Sequence, residues 1–394
     1  MAARVGARAL LATAWLASML TAAINILPAS IMPEATTALG VPLGVGGWLV
    51  SATMLAPALG SVPVGVLMDR YNTHDVMAVG TLAVVVLSVA SWWTAQLGSF
   101  WGLVAVRVGI GAGIVTIWIG GTNLVGAAFP ESTRATALAV FSTSAPLGYT
   151  VGQFVPPLVA EAAGWETNFL IFGFGGGLAF VAFSLVARRT PVGEVGTDPP
   201  TPGELRELFA NRALWMVCAI GFVGYSLHLL FNSWLPSYLR DAVGMPAATA
   251  ALLAAAFPAV GIVSRISGGA LSDRLFDGKR RPVPLWSFVV ALPFVAAVAL
   301  ARGTLPLLVL VALAGYCIQL SFGVIYALAR ELVSDVTAGS ATAMVSSLSF
   351  LGAFTAPLVA GSLLEATGAY TAVFGFAGAL AVVGALLAYR TPDV

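Results

Sequence analysis

Apolar, charge-free runs long enough to cross a bilayer recur from one end of this chain to the other, and that recurrence constrains the fold more than any other feature. A hydrocarbon core about 30 Å thick is spanned by roughly 20 helical residues. Uncharged runs cover 9–33, 35–68, 76–106, 108–130, 135–160, 167–187, 213–239, 242–264, 282–301, 303–329, 336–364 and 366–389. Two of the interruptions are single arginines, Arg107 and Arg265, and each reads as lying inside a span. The remaining boundaries predict twelve helices near 9–33, 44–68, 76–97, 100–128, 135–160, 167–187, 213–239, 247–271, 283–301, 305–329, 339–364 and 370–389. Only 9% of residues are charged against 59% hydrophobic, too few charges to clothe a water-soluble protein of this size. A closed barrel is the other spanning solution, but it needs short alternating strands, and the sequence shows none. Arg4 and Arg8 precede the first run as in a secretory leader, yet that run is too long for one and eleven more follow.

Several function classes drop out at this point. Cys218 and Cys317 both fall inside spans, so no disulfide, metal site or thiol chemistry is expected, and no cofactor. Net charge is +1 and no basic patch points to nucleic acid. A pump would need a nucleotide loop of the form G-x-x-x-x-G-K-[ST], which is absent. Two histidines and no carboxylate within a span offer little to an enzyme.

Lysine and arginine set the orientation, because loops that stay inside carry the excess. With the N-terminus inside, inner segments hold fourteen: Arg4, Arg8, Arg70, Arg134, Arg188, Arg189, Arg206, Arg212, Arg274, Lys279, Arg280, Arg281, Arg330 and Arg390. Outer loops hold only Arg240 and Arg302. The expectation is a protein of the cell (inner) membrane with both termini cytoplasmic. The longest inner segment carries Pro191, Pro199, Pro200 and Pro202 and reads as a linker, 191–212, between domains 1–190 and 213–394. Its 202–210 portion has the pattern of a short amphipathic surface helix.

The two domains are copies of one unit. At an offset of 204 residues Gly40 and Pro42 meet Gly244 and Pro246, Gly65 meets Gly269, and Asp69-Arg70 meets Asp273-Arg274. Gly111, Thr133, Ser142, Gly148 and Gly164 meet Gly315, Thr337, Ser346, Gly352 and Gly368 in the same register. Near the end of the first span the offset is 203, pairing Pro33 with Pro236. The fold class is therefore all-α and polytopic, with twelve transmembrane helices in two pseudo-symmetric six-helix bundles.

The loop after the second span reads Gly65-Val-Leu-Met-Asp69-Arg70, and the loop after the eighth reads Gly269-Ala-Leu-Ser-Asp273-Arg274 with Lys279, Arg280 and Arg281 following. Both resemble the G-x-x-x-D-R loop motif of the major facilitator superfamily, and Arg107-Val-Gly109-Ile-Gly111-Ala-Gly113 resembles its R-x-x-x-G-x-G motif in the fourth helix. The first loop departs from the pattern, with Asn72 and His74 where basic residues often follow. The resemblance implies a monomeric secondary transporter whose halves rock about a midplane site. It also implies a gating role for Gly65, Asp69, Arg70, Gly269, Asp273 and Arg274. Physically, Asp69 is placed to dock on the positive start of the eleventh span near Gly339, and Asp273 on that of the fifth near Ala135. The alternative is a tight, charged turn that anchors helix ends.

Ionisable groups inside a membrane are costly, which makes Arg107, Arg265 and His228 the candidates for the transport site. All seventeen acidic residues lie outside the middle of the spans, so an anion finds cations here while an organic cation finds no carboxylate. Arg107 reads either as an anion or proton site or as a hydrogen bond between neighbouring helices. Arg265, four residues before Gly269, is similar to the arginine that binds carboxylate in monocarboxylate transporters. Gly261 stands where those proteins carry an aspartate one turn earlier. The alternative for Arg265 is a side chain reaching the interface. His228 suits a proton switch, and the 203 offset sets it opposite Asn25 in the other repeat; its alternative is helix packing. Tyr149, Gln153, Gln319 and Tyr326 complete a polar lining, with Trp118 and Trp234 as apolar walls. The segment 232–238 is similar to seventh-helix ends of organic-anion branches of the superfamily. These residues predict a small organic anion such as a monocarboxylate as substrate, with proton symport. The alternative is efflux of drugs or hydrophobic compounds by proton antiport. The rival readings are a channel, against which a monomer with one central cavity would discriminate, and a non-transporting receptor, which would bind ligand without accumulating it.

Overall fold

In the computed structural model, residues 2–190 and 201–392 are described, and the linker residues 191–200 lie outside them. The chain divides into two compact units, Met1–Gly196 and Thr197–Val394. In the first unit the helices are α1 (Ala2–Ser30), α2 (Met32–Ala38), α3 (Gly47–Arg70), α4 (Thr73–Gln96), α5 (Phe100–Ala128), α6 (Glu131–Ser142), α7 (Ser144–Ala163) and α8 (Thr167–Ala187). In the second they are α9 (Pro202–Ala210), α10 (Arg212–Ser237), α11 (Ala247–Ala259), α12 (Gly261–Leu275), α13 (Pro282–Leu300), α14 (Thr304–Leu320), α15 (Ile325–Glu331), α16 (Ala338–Thr367) and α17 (Tyr370–Arg390). Eleven helices or helix runs among the described residues are long and apolar enough to cross a membrane. The fifth crossing, α6 with α7, completes twelve.

The outer faces show the solvent for which they are built. Along α8, Ile171, Phe174, Leu178, Val181 and Leu185 recur at three- and four-residue spacing and are all exposed, Leu178 to 72%. Val79, Leu82, Val86 and Trp93 do the same on α4, as do Val382, Val383, Leu386 and Tyr389 on α17. A continuous apolar stripe of this length is untenable in water and natural against acyl chains.

Inside each unit the packing repeats. Helix α1 packs on α7 and α8, and α10 packs on α16 and α17 in the same relation. The pairs α3·α5 and α4·α8 recur as α11·α14 and α13·α17. Glycine sets the closest approaches. A Cβ at Gly148 would lie 2.2 Å from the Met19 carbonyl oxygen, and one at Gly352 would lie 2.2 Å from that of Phe222. Met19 and Phe222 are 203 residues apart and the two glycines 204, the same pair of offsets that the sequence shows. Gly111 against the Thr53 carbonyl and Gly315 against that of Phe257 form a second repeat-related pair, at 2.2 and 2.6 Å. Where lipid replaces water, such close backbone contact is what holds helices together.

Four spans expected as single helices are broken, the first of them at Ile31 between α1 and α2. Residues 135–160 were expected to be continuous, but α6 ends at Ser142 and α7 restarts at Ser144. Pro146 has no N–H to give the Ser142 carbonyl, and the indole of Trp15 donates to Thr143 Oγ1 at 2.9 Å across the break. The eighth span breaks at Val260, two residues after Pro258. The tenth breaks after Leu320, where Ser321–Gly323 tightens into a 3-10 turn. Gly323 there lies so close to α12 that an added Cβ would be 2.2 Å from the Arg265 carbonyl oxygen. The short helix expected over 202–210 forms as α9. Thr201 Oγ1 accepts from the Glu204 amide, and the Glu204 carboxylate accepts from the Thr201 amide at 2.7 Å, a capping box. Those bonds hold the Glu204 carboxyl below the usual carboxylate range.

Candidate functional site

In the first unit the polar groups gather on α1. Arg107 of α5 is fully buried. Its Nε donates to the Leu49 carbonyl of α3, and Nη2 donates to the carbonyls of Asn25 at 2.6 Å and Ile24 at 3.3 Å. The guanidinium thus bridges the backbones of two neighbouring helices from a third. The Asn25 side chain is held from both sides. Its Oδ1 accepts from Thr53 Oγ1 at 2.5 Å, and its Nδ2 donates to the Tyr149 hydroxyl at 2.9 Å. Asn25, Thr53, Arg107 and Tyr149 therefore form one cluster joining α1, α3, α5 and α7. Gln153, one turn beyond Tyr149, is fully buried. Trp118 lies against Phe141 with ring centres 5.3 Å apart.

The second unit places a different set at the equivalent level. His228 of α10 is buried, and its ring meets Phe257 of α11 and Phe322 at 5.9 and 5.5 Å. Asn232 Nδ2 donates to the His228 carbonyl at 2.7 Å. Arg265 of α12 lies with its guanidinium carbon 5.3 Å from the centre of the Phe322 ring, a cation–π contact. Its Nε is buried and has no hydrogen-bond partner among the described residues. Tyr225 also packs on Phe322, with ring centres 4.4 Å apart, and its hydroxyl lies 3.4 Å from that of Tyr326. Gln319 is fully buried, with Nε2 donating to the carbonyls of Phe257 at 2.8 Å and Gly315 at 3.2 Å. Trp234 is turned into its own unit, where its indole donates to the Pro357 carbonyl at 3.0 Å.

Of the residues singled out by sequence, the structure joins Asn25, Arg107 and Tyr149 in one unit, and Arg265 and His228 around Phe322 in the other, with Tyr326 linked through Tyr225. Sequence reading missed Thr53, Tyr225, Phe257 and Phe322. For Phe322 the signal was available, since it lies 204 residues after Trp118 and so occupies the repeat-equivalent position. For Thr53 it was not, because nothing distinguishes one membrane threonine from the next.

The two loop motifs differ in what surrounds them. The side chain of Asp69 lies outside the described residues; Arg70 is exposed, and a Cβ at Gly65 would meet nothing within 4 Å. In the second copy, Asp273 accepts from Arg280 Nη1 at 2.5 Å, and Arg280 Nε donates to Glu331 at 3.0 Å, tying the end of α12 to the end of α15. Arg274 is exposed, and Gly269 has only the Gly323 carbonyl oxygen within reach, at 4.0 Å. Partial burial disfavours the Arg280 charge, but its bonds to Asp273 and Glu331 outweigh that and hold its pKa above the ordinary arginine value.

Lipid-facing apolar stripes and two repeated six-helix units, each with an arginine inside a span, define a polytopic helical membrane protein. The family model of the Major Facilitator Superfamily matches residues 14–304, well over half of the chain, and the protein belongs to that superfamily. Relatives include the hexuronate transporter of Bacillus subtilis (strain 168), 25% identical over 365 residues that cover 87% of this chain and 85% of the relative. The probable sulfoacetate transporter SauU of Cupriavidus necator is 28% identical over 352 residues, 82% of this chain and 79% of its own length. Among solved structures, a bacterial homolog to the human lysosomal transporter Spinster, inward-facing and unoccupied, superposes with a TM-score of 0.78 at 17% identity. That match covers 98% of this chain and 97% of the other, and it shows the shared fold.

Proposed function

We propose that this protein is a secondary active transporter that carries a small organic anion across the cell membrane by alternating access, as a monomer with both termini in the cytoplasm. The observation that carries the reading is Arg265: a cation inside the bundle, laid on an aromatic ring, whose Nε has no acceptor among the described residues. A buried donor left unmet is costly, and an arriving carboxylate or sulfonate supplies the missing acceptor. Relatives named for hexuronate and sulfoacetate support an anionic substrate. No observation favours the drug-efflux alternative.

In this reading Arg265 binds the anionic group, with Phe322, Tyr225 and Tyr326 shaping its surroundings. His228, in contact with the same Phe322 ring, is the group through which a proton gradient is coupled. Arg107 acts as a fastener for α1 and positions Asn25, and the two loop motifs gate the inner side. The test is uptake of labelled glucuronate and labelled sulfoacetate into proteoliposomes by the native chain and by Arg265→Gln. Uptake of at least one acid, abolished in Arg265→Gln while that variant keeps its native melting temperature, supports the proposal. Unchanged uptake in Arg265→Gln sinks it.

A further inference from the structure

The relatives leave open whether the substrate needs hydroxyl groups, since hexuronate carries several and sulfoacetate carries none. Resting on the anion reading above, we infer that Gln319 forms a hydroxyl-accepting subsite beside Arg265, which selects hydroxylated acids over plain carboxylates of the same length. The orientation of the Gln319 amide is set by what its nitrogen meets. Its Nε2 faces two carbonyl oxygens, those of Phe257 and Gly315, and only an NH2 group satisfies both. The Oε1 must therefore point the other way. It points at Gly261, where an added Cβ would lie 2.0 Å from it, and it is buried with no hydrogen-bond partner among the described residues.

The register of two helices then sets this acceptor beside the cation. Gly261 and Arg265 are four residues apart on α12, hence on one face and about 6 Å apart along the axis. Gln319 and Phe322 are three apart on the facing element, Gln319 meeting Gly261 while Phe322 meets Arg265. The acceptor thus meets α12 one helical turn from the residue that carries the unmet donor. Both helices break at this level, α11 from α12 at Val260 and α14 at Ser321, so the seam lies between two discontinuous helices, the kind of element that forms midplane sites in transporters. Gly261 is what makes room: any side chain there would take the space that Oε1 occupies.

An amide oxygen accepts and does not donate, so it rewards a hydroxyl, gains nothing from a methylene, and repels a second carboxylate. A ligand spanning the seam carries its anionic group at Arg265 and a hydroxyl about one helical turn away. Sites built to hydrogen-bond a substrate hydroxyl reject the analogue lacking it far more strongly than apolar pockets discriminate by size.

The test uses the full-length chain in detergent and the concentration of acid that raises its melting temperature. Gluconate and hexanoate are compared, because they share a six-carbon chain and differ in hydroxyls. Native protein is expected to respond to gluconate at a concentration at least ten times lower than to hexanoate. In Gln319→Met, which keeps length without the acceptor, and in Gly261→Ala, which displaces the amide, the two acids should become equivalent within about threefold. Arg265→Gln should lose the response to both. Equal native affinities overturn the inference without need of any variant, as does a hydroxyl preference that persists in Gln319→Met. If neither acid shifts the native chain while labelled sulfoacetate is still taken up, the subsite is refuted and the transport reading stands. If uptake is absent as well, both fall.

Discussion

Replacing Arg107 separates the two roles that its sequence position allows. The side chain delivers donors to three backbone oxygens, those of Leu49, Asn25 and Ile24. In membrane interiors a polar contact contributes about 0.6–1.7 kcal/mol, and a buried acceptor left bare costs about 1–3 kcal/mol. Those carbonyls also accept within their own helices, so the lower end applies, about 1 kcal/mol for each. Removing a fully buried side chain adds a cavity, while relief of arginine's desolvation cost subtracts from the total. Arg107→Ala should therefore lose about 3 kcal/mol. Arg107→Lys should fall between, because a single ammonium on a flexible stem serves fewer of the three carbonyls at once. The assay pairs thermal unfolding in detergent with equilibrium binding of the transported acid, scored per folded molecule. A fastener gives a large stability loss with affinity of the folded fraction held within about threefold. Native stability with affinity down more than tenfold, about 1.4 kcal/mol, refutes this reasoning and makes Arg107 an anion ligand.

Glycine substitutions should sort by what the new methyl meets. Gly111→Ala and Gly315→Ala place it against backbone oxygens of Thr53 and Phe257, and each should cost about 1–3 kcal/mol in thermal unfolding. Gly65→Ala meets open space in mid-helix and should be neutral or stabilising by up to about 1 kcal/mol, so any loss of transport there reports on gating alone. The cap of α9 should be acid-sensitive. Because the folded Glu204 carboxyl titrates below its unfolded value, its contribution is present above the ordinary glutamate range and is lost as pH falls through the lowered value. Amide exchange over 201–206, corrected for intrinsic rates, should accelerate in acid for the native chain and show no such pH step in Glu204→Gln.

Much of the fold was legible because lipid imposes a crude code: long uncharged runs, positive loops, and a repeat whose glycines hold register. The offsets of 203 and 204 reappear as the Gly148–Met19 and Gly352–Phe222 contacts, so the sequence symmetry is a symmetry of backbone packing. The helix breaks were not legible as breaks. Proline is frequent in membrane helices, and whether Pro146 or Pro258 interrupts one depends on what neighbours supply to the freed groups. The candidate site was legible as an inventory of costly residues but not as roles. Arg107 and Arg265 are both lone arginines in apolar helices, and only the contacts show one facing three carbonyls and the other an aromatic ring. Gln319 was recognisable as polar lining, while the direction of its amide depends on two carbonyls, one of them 62 residues away in sequence.

On the proposed function, an ion gradient drives a small organic anion through this protein. Proteoliposomes containing the purified chain, loaded at neutral pH and diluted into acidic buffer with labelled glucuronate and no nucleotide, test it directly. Transient accumulation above the external concentration is expected, abolished by a protonophore and by Arg265→Gln. Equilibration to the external concentration with no overshoot, indifferent to the gradient and to Arg265, would contradict it.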